Sequence, residues 1–357
     1  MKKRLKKLRD AAGMPFRKLR RKDKDVLENT KVSMITNDTI AEHREEVLAG
    51  ARKYIYPLQH SKHRIVILSS VIFAVTVIAF SVYSLLSLYR FQTTSTFMYR
   101  VTQVIPFPVA KVDNKFVTYE NYLFELRHYI HYYRTQQKLS FDTDEGKQEL
   151  KDFKKQAMDR VINDTFVKQL AEKNGVQVTN QEVDREIAVL RQQNRLGTND
   201  KVFEDVLRDF WGWSLSDFRR SVRQQLLARK IVSKLDNSAH DRAEAALSAT
   251  RAGREFADVA KEYSDDTSTK ETGGDYGIVI DESSRDVAAK VTEVIFNQEA
   301  GKVSEIIDTG YSLEIIKTLS FEGDKARAAH IQINFKDISE YIMPLQEAQT
   351  PRYCLKV

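Results

Sequence analysis

Beyond one membrane-crossing helix, the sequence predicts an α+β protein in which helices dominate. Three observations lead there. Residues Ile65 to Leu88 read IVILSSVIFAVTVIAFSVYSLLSL without a single charge. Residues 91–236 hold long stretches with apolar side chains at three- and four-residue spacing, the period of one helix face. Residues 237–336 run helix, helix, loop, helix and then two apolar strand-like pieces, as in an α+β domain with a small antiparallel sheet. A length of 357 residues allows two domains and a smaller third.

The uncharged run comes first. Its 24 residues at about 1.5 Å each exceed a hydrocarbon core of roughly 30 Å, so residues 65–88 are read as a membrane span in contact with lipid. A buried helix of a soluble domain is rarely apolar on every face, and the 64 preceding residues are too many for a signal-peptide n-region. Those residues include MKKRLKKLRD, FRKLRRKDK and SKHR. The positive-inside rule therefore makes 1–64 a basic cytoplasmic tail and places residues from about 91 onward outside the cell membrane, in a single pass. Tyr83, Tyr89 and Arg90 are expected at the far interface. The tail is read as a solvated orientation signal in preference to a binder of RNA or acidic lipid.

Charge narrows the partners. The chain carries +7, yet residues 1–64 alone hold 18 Lys and Arg against 8 Asp and Glu, a surplus of ten. The remainder stands at −3, so nucleic acid is not expected on the globular part. A single cysteine, Cys354, excludes an internal disulfide and a cysteine-based zinc site.

Within 91–236, Val109 to Thr118 alternates around Asp113-Asn114 as a small hairpin. A helix starts near Thr118, and a second carries Leu150, Phe153, Met158, Val161, Ile162, Phe166 and Leu170 on one face before Asn174-Gly175 stops it. Thr179 and Glu182 form a capping box for NQEVDREIAVLRQQ. KVFEDVLRDFWGW and then Ser216 opening DFRRSVRQQLLARKIVSKL complete the module. His128 and His131 lack carboxylate or cysteine companions at ligand spacing, so a metal site is not expected. Phe210, Trp211 and Trp213 are read as core ahead of a groove for apolar peptide. The order PVAKVDNKFVTYENY, QAMDRVINDTFVKQLAEKNGVQVTNQEVDREI and RRSVRQQLLARKI resembles the peptide-binding domain of SurA-like and PpiD-like foldases.

Residues 261–277, KEYSDDTSTKETGGDYG, follow two short helices, RAEAALSATRAG and REFADVAKEYS. A calcium loop fails on spacing, because counting from Asp265 puts Lys270 where glycine and Tyr276 where glutamate are required. GREFADVAKEYSDDTSTKETGGDYG, FNQEAGKVSEII and RAAHIQI together resemble the parvulin family of peptidyl-prolyl cis–trans isomerases. The resemblance implies a parvulin-like domain at 237–336 that uses no cofactor and no metal. It assigns Asp266 to the family's polar group after the second helix and His330 to the histidine of its first strand. Tyr276, Val287, Val291 and Phe296 fall at apolar substrate-binding positions, and Ser312 falls where the family has a second histidine.

Three departures accompany the likeness. The second histidine is missing, with Ser312 at its place by ungapped alignment and Glu314 if two residues are inserted. The valines are smaller than the usual pocket residues. The histidine-bearing strand follows the domain instead of opening it, which implies a circularly permuted domain with Arg327–Phe335 paired beside GYSLEIIKTL. Residues 337–357 are expected to be a C-terminal tail. The function implied is that of a membrane-anchored foldase, an isomerase and chaperone for unfolded, newly exported polypeptides with X–Pro bonds. The alternative is a binding-only chaperone with a catalytically impaired parvulin domain.

Overall fold

The computed structural model describes residues 36–55, 58–193 and 199–356; the most basic part of the tail, residues 1–35, lies outside them. The chain divides into two units, Met1–Ser81 and Val82–Val357. The first holds α1 (Asn37–Ile55) and most of α2 (Leu58–Leu85). Among the described residues, the stretch His63–Arg90 is the one helix long and apolar enough to cross a membrane, and its apolar window is not buried in the protein.

The second unit begins in the last turn of α2, which continues through a π-turn at Leu86–Arg90. Ser84, Ser87 and Leu88 are buried there. Tyr83 is exposed as an interfacial residue would be, but Tyr89 is not free to sit among headgroups. Its hydroxyl donates to the Pro108 carbonyl at 2.6 Å, its ring meets Tyr119 edge-on, and the Tyr119 hydroxyl donates to the Leu88 carbonyl at 2.6 Å. A buried phenol needs a partner, and these carbonyls supply it.

The helical module follows. Ser95 caps α3 (Thr96–Val104), and β1 (Pro108–Val112) pairs antiparallel with β2 (Lys115–Thr118) through the Asp113-Asn114 turn. Thr118 caps α4 (Tyr119–Thr135) and Thr143 caps α5 (Asp144–Asn174). The expected face of α5 is its buried face: Phe153, Met158, Val161, Ile162, Phe166 and Leu170 pack against Tyr119, Tyr122 and Leu123 of α4. In α6 (Asn180–Gln193) the Thr179–Glu182 box is present, with bonds of 2.7 and 3.2 Å. After α7 (Asp200–Val206), α8 (Leu215–Leu235) starts two residues earlier than Ser216 suggests, with Ser214 as its cap. The reason is reciprocal bonding between Ser214 and Asp217, two donors satisfied at once. Replacing Ser214 with Ala should cost about 1 kcal/mol, read from the denaturant midpoint, whereas Ser216→Ala should move it little.

The aromatic run packs on α4 without being enclosed as the core expected from sequence: Trp211 and Trp213 are half-buried. Trp213 stacks on Phe124 and His128, and Trp211 on Tyr132, while Phe210 remains partly exposed. His128 and His131 bond the carbonyls of Trp211 and Asp209, and no group of residues suited to a metal occurs among the described residues.

The C-terminal half is a four-stranded antiparallel sheet between helices. Its elements are α9 (Asn237–Arg251), α10 (Phe256–Tyr263), β3 (Ile280–Asp281), α11 (Ala289–Asn297), β4 (Ile307–Asp308), β5 (Ser312–Glu322) and β6 (Lys325–Asn334), in sheet order β3-β6-β5-β4. Alternation splits the side chains. Leu313, Ile315, Ala329, Ile331 and Ile333 face α9 and α10, whereas Ile316, Ala326 and Ala328 face α11. The terminal strand expected beside GYSLEIIKTL is thus an interior strand, paired along its whole length with β5 and at one end with β3.

Residues 337–357 are not the tail expected from sequence. They form α12 (Ile338–Ala348) and β7 (Arg352–Tyr353), and β7 adds to β1 as the third strand of the small N-terminal sheet. Ile338, Ile342 and Leu345 share one helical face, and Ile342 and Leu355 are buried in the core of the helical module.

Candidate active site

The loop Ser264–Gly277 is stitched to β6. Asp265 N–H donates to the Gln332 carbonyl at 2.7 Å, His330 N–H to the Gly274 carbonyl at 2.8 Å, and Tyr276 N–H to the Ala328 carbonyl at 3.2 Å. The Asp265 carboxylate accepts from Arg242 at 2.6 and 3.0 Å and from Asn334 N–H at 2.9 Å. One aspartate of the pair therefore fastens the loop, leaving the next free for chemistry.

That next residue, Asp266, faces His330. Its Oδ2 lies 3.0 Å from His330 Nε2 and accepts from the Thr269 hydroxyl at 2.6 Å. Its Oδ1 accepts from Ser268 N–H at 3.0 Å and the Ser268 hydroxyl at 2.7 Å. Burial alone would push this carboxyl up, but the bonds from Thr269, Ser268 and His330 outweigh it and hold Asp266 far below the usual carboxylate range. It is a carboxylate throughout the physiological range.

His330 projects from β6 on the α11 side of the sheet. Directly across on β5 stands Ile316, and one step along on the same face stands Glu314, opposite Gln332. This diagonal is within reach of a long side chain. Glu314 Oε2 lies 3.0 Å from His330 Nδ1. The Tyr276 ring lies over the imidazole, centroids 4.2 Å apart and planes 27° apart. Burial pushes the Tyr276 hydroxyl well up, and Glu314 adds to the shift, so it stays a neutral phenol. Asp266 and Tyr276 are the more accessible members of the cluster, and the His330 side chain is 4% exposed.

The geometry sorts the expected residues. Asp266, His330 and Tyr276 come together. Ser312 does not meet the imidazole: it is buried one step beyond, and its hydroxyl donates to Glu314 Oε1 at 3.2 Å. Of the two candidates for the second-histidine place, Glu314 is the one that meets His330, because Ser312 and Glu314 share a face of β5 and only the longer side chain spans the diagonal. The signal available in sequence was the i, i+2 pair itself. Val291 lies on the sheet-facing side of α11, fully buried against Ile316 and Ala328, and contributes core, not a contact surface. Val287 and Phe296 line a separate cavity of about 400 Å³ with Glu282 and Arg285, and its lining includes neither Asp266 nor His330. Thr269, which sequence reasoning missed, bridges Asp266 and His330. Glu314 and Ser312 also border a cleft of about 1260 Å³, whose opposite wall includes Val189, Leu226 and Lys230 of α6 and α8.

Comparison with known proteins finds two family matches along the chain. Residues 58–232 match the model of the SurA-like N-terminal domain, and residues 226–320 match that of the PPIC-type peptidyl-prolyl isomerase domain. The foldase protein PrsA of Caldanaerobacter subterraneus subsp. tengcongensis is 26% identical over 196 residues, 49% of this chain and 59% of the relative. PrsA of Halalkalibacterium halodurans is 24% identical over 174 residues, 40% and 51% of the two chains. The chaperone SurA of Nitrosospira multiformis is 22% identical over 239 residues, 52% and 53%. The chain thus spans about half the length of the curated relatives it matches. The isomerase-domain match ends inside β5, and the strand that supplies His330 lies beyond it. With an Asp266–His330 pair framed by the loop after α10, the chain joins a SurA-like N-terminal domain to a domain of the parvulin family of peptidyl-prolyl isomerases.

Proposed function

We propose that the protein is a membrane-anchored foldase that isomerises X–Pro bonds of unfolded, newly exported polypeptides and holds those polypeptides in its helical module. The single observation carrying the isomerase half is the cluster of Asp266, His330 and Tyr276 in a parvulin-type domain. The apolar helix at His63–Arg90 and the basic segment before it support an anchor with the body on the extracytoplasmic side.

Prolyl isomerisation makes and breaks no lasting bond. Its barrier of about 18–20 kcal/mol comes from amide resonance, so the enzyme has to bind the twisted amide better than either planar form. Resonance places negative charge on the carbonyl oxygen. An ionised Asp266 beside that oxygen disfavours the planar, charge-separated form and lowers the barrier. The reaction needs no proton transfer, which suits a histidine that is almost wholly enclosed.

The test is cis-to-trans conversion of a short X–Pro peptide by the full-length protein in detergent micelles. Asp266→Ala should reduce kcat/KM by about tenfold or more, equivalent to about 1.4 kcal/mol of transition-state stabilisation. The buried Val291 favours a second reading, a chaperone that binds without catalysing. Suppression of client aggregation with no acceleration of the peptide would select it.

A further inference from the structure

We propose that Glu314 is a positioning residue that holds His330 as an imidazolium, so that the site is a carboxylate–imidazolium–carboxylate relay of net charge −1. The role in catalysis rests on the isomerase reading above; the charge state does not. A neutral imidazole has one N–H and one lone pair, so it suits one acceptor and one donor. His330 has acceptors on both sides, Asp266 Oδ2 at 3.0 Å from Nε2 and Glu314 Oε2 at 3.0 Å from Nδ1.

The neighbours decide where the protons sit. The Thr269 hydroxyl is 2.9 Å from Nε2, but its one hydrogen goes to Asp266 Oδ2 at 2.6 Å. Both groups at Nε2 therefore offer lone pairs, and Nε2 must carry hydrogen. At Nδ1 the proton lies on the ring or on Glu314. The Ser312 hydroxyl donates to Glu314 Oε1 at 3.2 Å, and the Tyr276 hydroxyl points toward Oε2 from 3.5 Å. Donors at both oxygens favour the carboxylate, so the proton stays on Nδ1. The Tyr276 ring covers the imidazole face, where a cation gains from the ring quadrupole.

The groups facing His330 are thus Asp266, Thr269 and Tyr276 from the loop and Glu314 from β5. The nearby cations are engaged elsewhere, Arg242 with Asp265 and Arg327 with Asp275. A cation enclosed with two carboxylates is paired on both sides, the condition under which a buried charge persists. Two engaged N–H groups leave His330 nothing to offer a peptide. Its part is to fix Asp266, and Glu314 acts through it.

The test is nitrogen-15 NMR of the full-length protein in lipid nanodiscs, labelled at its seven histidines, at neutral pH. His330 is assigned by its loss in His330→Asn. Both ring nitrogens should show the protonated, imidazolium signature, and Glu314→Gln should convert one to the unprotonated type. Glu314→Asp, which keeps the charge on a shorter arm, should restore part of the imidazolium signal if the Gln variant is poorly folded. A neutral His330 in the wild-type protein, or an unchanged imidazolium in a folded Glu314→Gln, overturns the proposal. This readout needs no turnover, so a protein without isomerase activity would overturn the reading of function and leave the charge state standing. If the isomerase reading holds, Glu314→Gln should lower kcat about tenfold with KM little changed.

Discussion

Replacing Lys325–Asn334 by a Gly/Ser stretch of equal length should abolish the fold of the isomerase domain, although every residue matched by the family model is retained. β6 stands between β3 and β5 and supplies residues to the cores on both faces of the sheet. Ile331 and Ile333 are fully buried on one face, Ala326 and Ala328 on the other. Emptying two buried isoleucine sites costs about 2–5 kcal/mol each, a loss comparable with the whole 5–15 kcal/mol of a typical domain. The ladder to β5 and the stitching of the Ser264–Gly277 loop go with it. The measurement is the cooperative thermal transition of the domain, with protease sensitivity of residues 237–322. A surviving transition would make β6 an accessory and would remove the basis for placing His330 in the site. A companion chain with the same ten residues moved ahead of Asn237 should recover the transition. Lys336 N–H donates to the Asp236 carboxylate at 2.8 Å, so the end of β6 already lies against the start of α9.

How much of this was legible in the residues depends on whether the signal was local. Helix faces, the helix start near Thr118, the cap at Thr179 and the stop at Gly175 depend on neighbours within four positions, and they read correctly. The pairing of β6 with β5 was also legible, because two apolar strands separated by a short polar link form an antiparallel pair by default. The partner of His330 was not. Choosing Glu314 over Ser312 needs the register of β5 against β6, and a shift of two residues leaves every side chain on the same face. Hydrophobic patterning is blind to that shift, so only the paired structure resolves it. The loss of Val291 into the core has the same origin, since periodicity marks an apolar face without saying whether a sheet covers it. β7 escaped notice for another reason: two exposed residues pair across more than 240 positions of sequence, and nothing near them announces it.

Gly274→Ala should be the most damaging single methyl in the loop. Its φ of +82° already disfavours a side chain, by about 1–2 kcal/mol. A Cβ would also stand 2.1 Å from the His330 carbonyl oxygen, which is backbone. Neither partner can retreat, because His330 is paired with Ile316 of β5 on one side and bonded to the Gly274 carbonyl on the other. Forced overpacking of this kind adds about 1–3 kcal/mol, so the expected cost is about 2–5 kcal/mol in the denaturant midpoint. Gly277 supplies the control. Its φ of +69° carries the same backbone penalty, but nothing lies within 4 Å of a Cβ there, and Gly277→Ala should cost only about 1–2 kcal/mol. If the two substitutions cost the same, the close approach at Gly274 is not what holds the loop. If Gly274→Ala alone is severe, the loop should separate from β6 before the sheet unfolds. Asp266 and Thr269 would then leave His330, and the nitrogen-15 signature of the ring would change while the far-UV spectrum still reported a folded domain.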